Sequence, residues 1–383
     1  MSNEALVTTP QIHQITPLGT LESMLPPQAG GRPRVERLAD IYPAQVPIAP
    51  IAFGHTDLST LTMAEHPRAG AWAETSYQAA GKTVHLLRNA VIRSDTGIVT
   101  MDQHVVAETL LRIPDHMLPG ERVEGGIAFH PNENTVQLGR AAHLLAGNYD
   151  NYFHWMNDVV ARSLLAEALG PGASLLFGIF RVPFHPSTVD LLGPSSTPRQ
   201  GLGLGVSVEV AELLYVPGLS GYGFEPHPCM LPVFDRLRAN AGTGKSPARR
   251  LYISRLGSER RKLLNEPEIV ALLGMHGFEA VQLDGMDVRS QVLLFAEASH
   301  IVAPHGAGLT NLLFCSPGTT VLELLPTNYV NWCFRRAASL RQLRYGCLVG
   351  EAPAPWNTDW PHANSWTLPL GDLATVMNSA AFS

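Results

Sequence analysis

The stretch that decides the fold is HIVAPHGAGLTNLLF, His300 to Phe314. A short apolar run, HIVA, runs straight into Pro-His-Gly-Ala-Gly, and an apolar, helix-like LTNLLFC follows. A buried strand that ends in glycines and opens a helix is the joint of a parallel sheet with helical crossovers.

Working outward, the neighbouring segments repeat that alternation. Upstream, LYIS (Leu251 to Ser254) reads as a strand. Asn265 then caps a helix, with Glu268 three residues on to complete a capping box. The stripe Ile269, Leu272 and Leu273 ends at Gly277, a residue suited to a left-handed cap. FEAVQL (Phe278 to Leu283) is a second strand, and Asp287 caps a helix carrying Val292, Leu293 and Phe295. Downstream, TVLELL (Thr320 to Leu325) closes the set as a fourth strand. The expectation is a doubly wound parallel sheet.

The N-terminal half is less regular. Residues 1–50 are rich in Pro, Gln and Thr and read as an extended arm. KTVHLLR (Lys82 to Arg88) and GIVTM (Gly97 to Met101) fit strands, and Asp102 to Leu111 fits a helix or a continued strand. Asn151 to Leu165 places Trp155, Val159, Leu164 and Leu165 at helical spacing. Leu175 to Val182 and Ser207 to Val216 are further strand candidates, and a parallel sheet with helices is expected there too. NAGTGKSP (Asn240 to Pro247) is the best linker.

Bulk properties bound the function. Of 383 residues, 45% are hydrophobic and 16% charged, enough for substantial cores. A formal net charge of -6 argues against a nucleic-acid partner, which needs a cationic face. Cys229, Cys315, Cys333 and Cys347 are widely spaced and read as free thiols in a reducing compartment. No secretory leader or membrane-length apolar run is evident, so the expectation is a cytoplasmic protein, with peripheral contact at a membrane surface left open.

Four constellations carry chemistry. His305, Gly306, Ala307 and Gly308 lie where an open parallel sheet binds ligands, and the glycines let a phosphate approach free backbone N–H groups. Thr310 or Asn311 can bond a ribose, phosphate or sugar; the competing explanation is a tight turn packed for structure alone. Arg249, Arg250, Arg255, Arg260, Arg261 and Lys262 form a basic set. Most of these fit solvated surface charges, while Arg255, directly after a strand, and Arg261 suit a diphosphate clamp. His154 and Asp158, four apart, share a helix face next to Asn151, and make either a general base or an ordinary surface pair. Glu323, a carboxylate inside an apolar strand, either accepts ribose hydroxyls or pairs with an arginine.

Two decoys fail on context. GTGKS (Gly242 to Ser246) lacks the first glycine of a P-loop and a preceding strand, and GLGLG (Gly201 to Gly205) has the wrong spacing for a dinucleotide fingerprint. No zinc-ligand spacing or nucleophile elbow appears, and no metal is expected.

The series RLYISR, RKLLNE, GFE, Gln291, APHGAGLTNLLF and VLEL, with NYFHWMND (Asn151 to Asp158) upstream, resembles glycosyltransferase family 61. The resemblance covers about 151–166 and 250–326. It implies an α/β, GT-B-like architecture of two Rossmann-like parallel-sheet domains facing a cleft, and an inverting, metal-independent mechanism. The expected organisation is a 1–50 arm, an acceptor-side α/β domain over 51–239, a nucleotide-sugar-binding domain over 240–350, and a 351–383 tail able to return to the N-terminal domain; the first 140 residues and the last 50 or so carry nothing specific to the family. The donor would be a nucleotide sugar, with UDP first among nucleotides. The acceptor would be a glycan, a lipid-linked group or a protein. The composition suits a bacterial relative, and for such a relative the resemblance implies a place in capsule or exopolysaccharide synthesis, cytoplasmic or peripheral at the inner membrane. Oligomeric state is left open.

By the same resemblance, Arg255 and Arg261 would neutralise the diphosphate and His305, Gly306, Ala307 and Gly308 would cradle it. Asn311 would hold donor hydroxyls or phosphate, Glu323 the ribose, and Asn151 substrate. Asp158 is favoured as base with His154 positioning it, although the reverse is chemically sound. Trp356, Trp360 and Trp366 suit either an acceptor groove or core packing. The alternatives are a non-catalytic nucleotide-sugar or glycan-binding protein, another sugar-nucleotide enzyme such as an epimerase, and a phosphoester hydrolase.

Overall fold

The computed structural model describes residues 11–55, 57–58, 71–110, 113, 115–130, 132, 134–147, 149–221, 224–242, 246–353, 355, 357 and 363–382. The chain forms two compact units that interleave along the sequence. The first holds residues 1–42, 81–189 and 193–219, and the second holds 43–80, 190–192 and 220–383.

The second unit contains a five-stranded, all-parallel sheet. Its spatial order is Glu279–Val281, Arg249–Ile253, Ala298–Pro304, Thr320–Pro326, Arg344–Gly350. Numbered by chain order this is 2-1-3-4-5, so the sheet reverses direction of growth between Arg249–Ile253 and Ala298–Pro304. Ligands gather outside the carboxyl ends of the strands at such a switch point. Thr320–Pro326 is buried along its whole length, as a central strand covered on both faces must be. Leu322, Leu324, Tyr252, Ile269, Leu273 and Leu373 share its core.

Local chemistry explains the helices here. Asp287 caps Val288–Ala296, its carboxylate accepting from the Ser290 N–H at 3.0 Å. Gly277 has φ 76°, the left-handed conformation expected after the helix Glu266–Met275. The capping box expected at Asn265 does not form. Asn265 sits at the N-cap, but its amide exchanges bonds with the Leu368 backbone, donating to O at 2.8 Å and accepting from N at 3.0 Å. That exchange ties the chain near Trp366 to the sheet. Trp366 itself is buried, its indole donating to the Arg261 carbonyl at 3.0 Å, so it is a core residue and not part of an open groove. Trp356 and Trp360 lie outside the described residues.

The first unit departs from expectation. Its sheet, eleven-stranded among the described residues, is mixed and not a second parallel sheet. Asn134–His143 pairs in parallel with Val206–Tyr215 and with Ser174–Leu176. The long strand Lys82–Arg93, however, runs antiparallel to Val206–Tyr215, Val99–Met101 and Val35–Ile41. The reason is connection length. Lys82–Arg93, Val99–Met101 and His104–Val106 follow one another through short turns, too short for the helical crossover a parallel neighbour requires. Asp102–Leu111 accordingly resolves into the strand His104–Val106 and the 3₁₀ turn Ala107–Leu110. The supposed arm contributes the strands Gln11–Thr16 and Val35–Ile41 to this sheet.

Among the described residues no helix is long and apolar enough to cross a membrane. All four cysteines are free thiols.

Candidate functional site

Arg255 follows the Arg249–Ile253 strand by two residues, at the carboxyl edge of the parallel sheet. Its placement depends on a carboxylate that the sequence did not single out. Glu266, 2% exposed, accepts through Oε1 from the Tyr252 hydroxyl (3.0 Å), the Ser254 hydroxyl (2.8 Å) and the Arg255 N–H (2.8 Å). Three donors on one oxygen fix the strand's exit. The Arg255 side chain is held by the Ser258 hydroxyl and the Arg260 carbonyl, each at 2.9 Å from Nη2.

On the neighbouring strand, Ala298–Pro304 leads into His305 and Gly306, and a 3₁₀ helix over Ala307–Phe314. Gly306 meets a steric demand, not a conformational one. Its φ of 173° is ordinary extended backbone, but a Cβ there would collide with Arg255 Nη1. At Gly308 a Cβ would stand 2.8 Å from Leu283 Cδ1. These two positions keep a guanidinium and a loop pressed against the start of the helix, with Ala307 and Gly308 half-buried.

Arg261 joins them from the following loop. It has a left-handed φ of 50° and lays its guanidinium over the Tyr329 ring, 4.9 Å from the centroid. Burial and the nearby Arg261 charge push Arg255 down to about 10. Two like charges held this close, one of them mostly out of water, favour an anion between or beside them. The Thr310 hydroxyl, buried in the adjoining helix, has no hydrogen-bond partner among the described residues.

The other members of the basic set are spent elsewhere. Arg249 pairs with Glu279 at the surface at 2.5 Å. Arg250 donates to the Phe382 carbonyl at 2.6 Å and stacks on Phe278. Arg260 and Lys262 are exposed.

Two expected ligand contacts lie in the core. Glu323 is 0% exposed, with Oε1 at 2.5 Å from His305 Nδ1 and Oε2 accepting from the Tyr345 hydroxyl. Burial pushes its carboxyl up to about 8, against the opposing pull of Tyr345 and Arg261. A ribose would have to displace both partners to reach it. Asn311 is likewise fully buried and donates to Gln291 Oε1 at 2.9 Å, while Gln291 donates to the Met286 carbonyl at 2.9 Å. This chain braces the loop whose Leu283 covers Gly308. Neither role was legible, because Gln291 and Tyr345 approach from distant positions in the sequence.

The first unit carries the second constellation. Asn151 caps Tyr152–His154 by accepting from the Phe153 N–H at 2.9 Å, so its side chain serves the turn. The helix then widens to π geometry over Trp155–Val159 and tightens to 3₁₀ over Val160–Arg162. Such π segments are rare and gather at functional sites. His154 Nδ1 lies 2.8 Å from Asp158 Oδ2. The histidine side chain is 23% exposed and the aspartate 7%. With Nδ1–H donating to the carboxylate, the tautomer is fixed and Nε2 is the basic nitrogen. Beneath them, buried Arg162 donates to the Val216, Leu144 and Leu145 carbonyls at 2.6, 2.6 and 3.0 Å and locks the segment to the sheet.

Among the described residues no group of three or more His, Cys, Asp or Glu is arranged to hold a metal ion.

Comparison with known proteins bears on these residues. Beta-1,2-xylosyltransferase XAX1 of Oryza sativa subsp. japonica is 36% identical over 110 residues, 27% of this chain and 19% of the relative. Alpha-1,3-arabinosyltransferase XAT3 of the same rice is 34% identical over 93 residues, 22% of this chain and 16% of the relative. The EGF domain-specific O-linked N-acetylglucosamine transferase of Drosophila melanogaster is 29% identical over 116 residues, 30% of this chain and 22% of the relative. The matched stretches thus span at most about a fifth of the relatives' length. From Tyr152 to Leu322, a stretch that includes His154, Asp158, Arg255 and the His305 turn, the chain matches the family model Glycosyltransferase 61.

Proposed function

We propose that this protein is an inverting, metal-independent glycosyltransferase that moves a sugar from a nucleotide diphosphate donor, UDP first among nucleotides, to a hydroxyl acceptor. The observation that carries the reading is the pairing of Arg255 and Arg261 beside the Gly306–Gly308 turn, at the switch point of a parallel sheet. The match of 152–322 to Glycosyltransferase 61 supports it. The three relatives are named as transferases of xylose, arabinose and N-acetylglucosamine, so a pentose or N-acetylhexosamine is the first donor sugar to try. A GT-B organisation, a glycan, lipid-linked or protein acceptor, and a cytoplasmic or membrane-peripheral location belong to the same proposal.

The reaction is a single displacement. His154 Nε2 removes the acceptor's hydroxyl proton, with Asp158 holding the ring and stabilising the imidazolium that forms. The acceptor oxygen bonds to the anomeric carbon as the bond to the diphosphate breaks, and the electron pair leaves with the nucleoside diphosphate. Arg255, Arg261 and the backbone N–H groups after His305 face the charge that builds there. This assignment makes His154 the base, because it is the more exposed of the pair and Asp158 already accepts its Nδ1 proton.

The test is to incubate the protein with UDP- and GDP-sugars and candidate acceptors, following both nucleotide release and transferred product. Transfer should occur, and Arg255→Ala and Asp158→Asn should each slow it by about tenfold or more, a loss of roughly 1.4 kcal/mol of transition-state stabilisation. Donor binding without any release would favour a non-catalytic binding protein. Full activity in both variants would remove the roles assigned to these residues.

A further inference from the structure

We infer that Asp284 is the ribose-binding residue of this site, its carboxylate accepting from the 2′- and 3′-hydroxyls of a nucleoside diphosphate whose phosphates lie at Arg255 and the Gly306–Gly308 turn. The inference rests on the diphosphate seat proposed above and supplies the ribose contact that buried Glu323 does not offer.

The placement follows from strand order. Glu279–Val281 runs parallel beside Arg249–Ile253, with Ile253 opposite Val281, and Ala298–Pro304 lies on the other side. Arg255 is two residues past the end of the middle strand, and Asp284 three past the end of the outer one. The Ser254 N–H donates to the Val281 carbonyl at 2.8 Å and Gln282 Nε2 to the Leu256 carbonyl at 3.1 Å, so the two exits stay joined beyond the strands. Leu283 reaches the third exit. Its Cδ1 stands 2.8 Å, and Ile253 Cγ2 3.9 Å, from where a Cβ on Gly308 would be. Strands spaced about 4.8 Å apart set the outer exit roughly 10 Å from the His305 turn. A nucleoside diphosphate bridges such a span, with phosphates at one end and ribose at the other.

Asp284 is held by a turn. The Met286 N–H donates to the Leu283 carbonyl at 3.0 Å, and Gly285, at the third position, has the φ of 78° that such a turn needs. Gln291 Nε2 donates to the Met286 carbonyl at 2.9 Å, and Gln291 is itself held by Asn311 from the helix after the His305 turn. The backbone is thus fixed while the side chain is exposed, and among the described residues its carboxylate makes no hydrogen bond or ion pair. Of the carboxylates whose charge reaches Arg255, Glu266 is buried and its Oε1 already accepts from three donors. Asp284 is the uncommitted one. A carboxylate repels phosphate and accepts from hydroxyls, so the part of a nucleotide it can hold is the ribose next to the phosphates. Acids beyond strand ends do this in dinucleotide folds.

The experiment titrates UDP, 2′,3′-dideoxyuridine diphosphate and inorganic pyrophosphate calorimetrically, in EDTA, into the full chain and its Asp284→Ala and Arg255→Ala variants. Asp284 is exposed and outside the left-handed region, so alanine keeps the turn. The wild type should bind UDP at least about tenfold more tightly than the dideoxy analogue, the worth of hydroxyls bonded to a charged acceptor. In Asp284→Ala that ratio should fall below about threefold, while pyrophosphate binds as well as before or better, a nearby negative charge having gone. A ratio near one in the wild type, or one unchanged in Asp284→Ala, would overturn the inference and leave the seat standing. The unchanged ratio is the result expected if Asp284 only tunes Arg255 or holds the transferred sugar, which UDP lacks. Arg255→Ala should weaken UDP and pyrophosphate alike, by about tenfold or more. Undiminished affinity for both in that variant would remove the seat, and this inference with it.

Discussion

Gly306 shows how much chemistry one missing side chain can carry. No left-handed backbone is required there, so alanine is conformationally tolerable, and the penalty comes only from the collision of its Cβ with Arg255 Nη1. Gly306→Ala should therefore leave the fold intact while displacing the guanidinium. Donor affinity and turnover should fall by about tenfold, an effect of roughly 1.4 kcal/mol, with little change in the denaturant midpoint. Equal losses of stability and activity would point to packing damage in place of a displaced guanidinium. At this scale the places of Arg255 and the His305 turn could be read, because each lies just beyond a strand end, where sequence order alone gives position. The side-chain partners of Glu323 and Asn311 could not be read, for a physical reason. A polar residue in an apolar run must find a partner, but sequence does not say whether that partner is a ligand or, as here, Tyr345 and Gln291 from other elements.

Between residues and domains, the elements differ in how openly they declared themselves. The strands around Leu251, Ile301 and Leu322 alternate with short helical segments, so four strands of the parallel sheet could be read directly, while the fifth, Arg344–Gly350, was not. The first unit's sheet is mixed because its strands mostly follow one another through turns, and the π segment at Trp155–Val159 interrupts a pattern that reads as one continuous helix. Its sheet also contains an acid-labile point. His143, at the end of Asn134–His143, is fully buried with Nε2 2.7 Å from the Gly97 carbonyl, and burial beside Arg162 holds it down at about 3. Its folded pKa lies below its ordinary 6.5, so the unfolded chain binds the extra proton between those values. Its contribution to stability is therefore present above about pH 6.5 and drains away as pH falls toward 3. The slope from this group is at most about 1.4 kcal/mol per pH unit. Urea midpoints measured from pH 7 down to 4 should decline, and His143→Gln, which cannot take up the proton, should flatten the decline. An identical slope in the variant would assign acid lability to other groups.

For the molecule as a whole, the deciding question is what neutralises a departing diphosphate in a chain whose own net charge is -6. A distributed positive field is excluded by that balance, so the compensation must be local. Arg255 and Arg261 are local, fixed charges, one clamped through Ser258 and Arg260 and the other stacked on Tyr329. Near a protein surface a unit charge about 4 Å from its partner contributes on the order of 4 kcal/mol, well above the roughly 1.4 kcal/mol that separates rates by tenfold. Two such charges, together with the N–H groups opening Ala307–Phe314, are sufficient in magnitude to take the place of a divalent cation. Transfer should then proceed undiminished in excess EDTA. Rising potassium chloride should weaken donor binding, because the attraction of the donor's diphosphate to the guanidiniums is screened as the Debye length contracts from about 10 Å at 0.1 M toward 3 Å at 1 M. Loss of activity in EDTA with recovery on adding magnesium or manganese would transfer that work from the arginines to a metal.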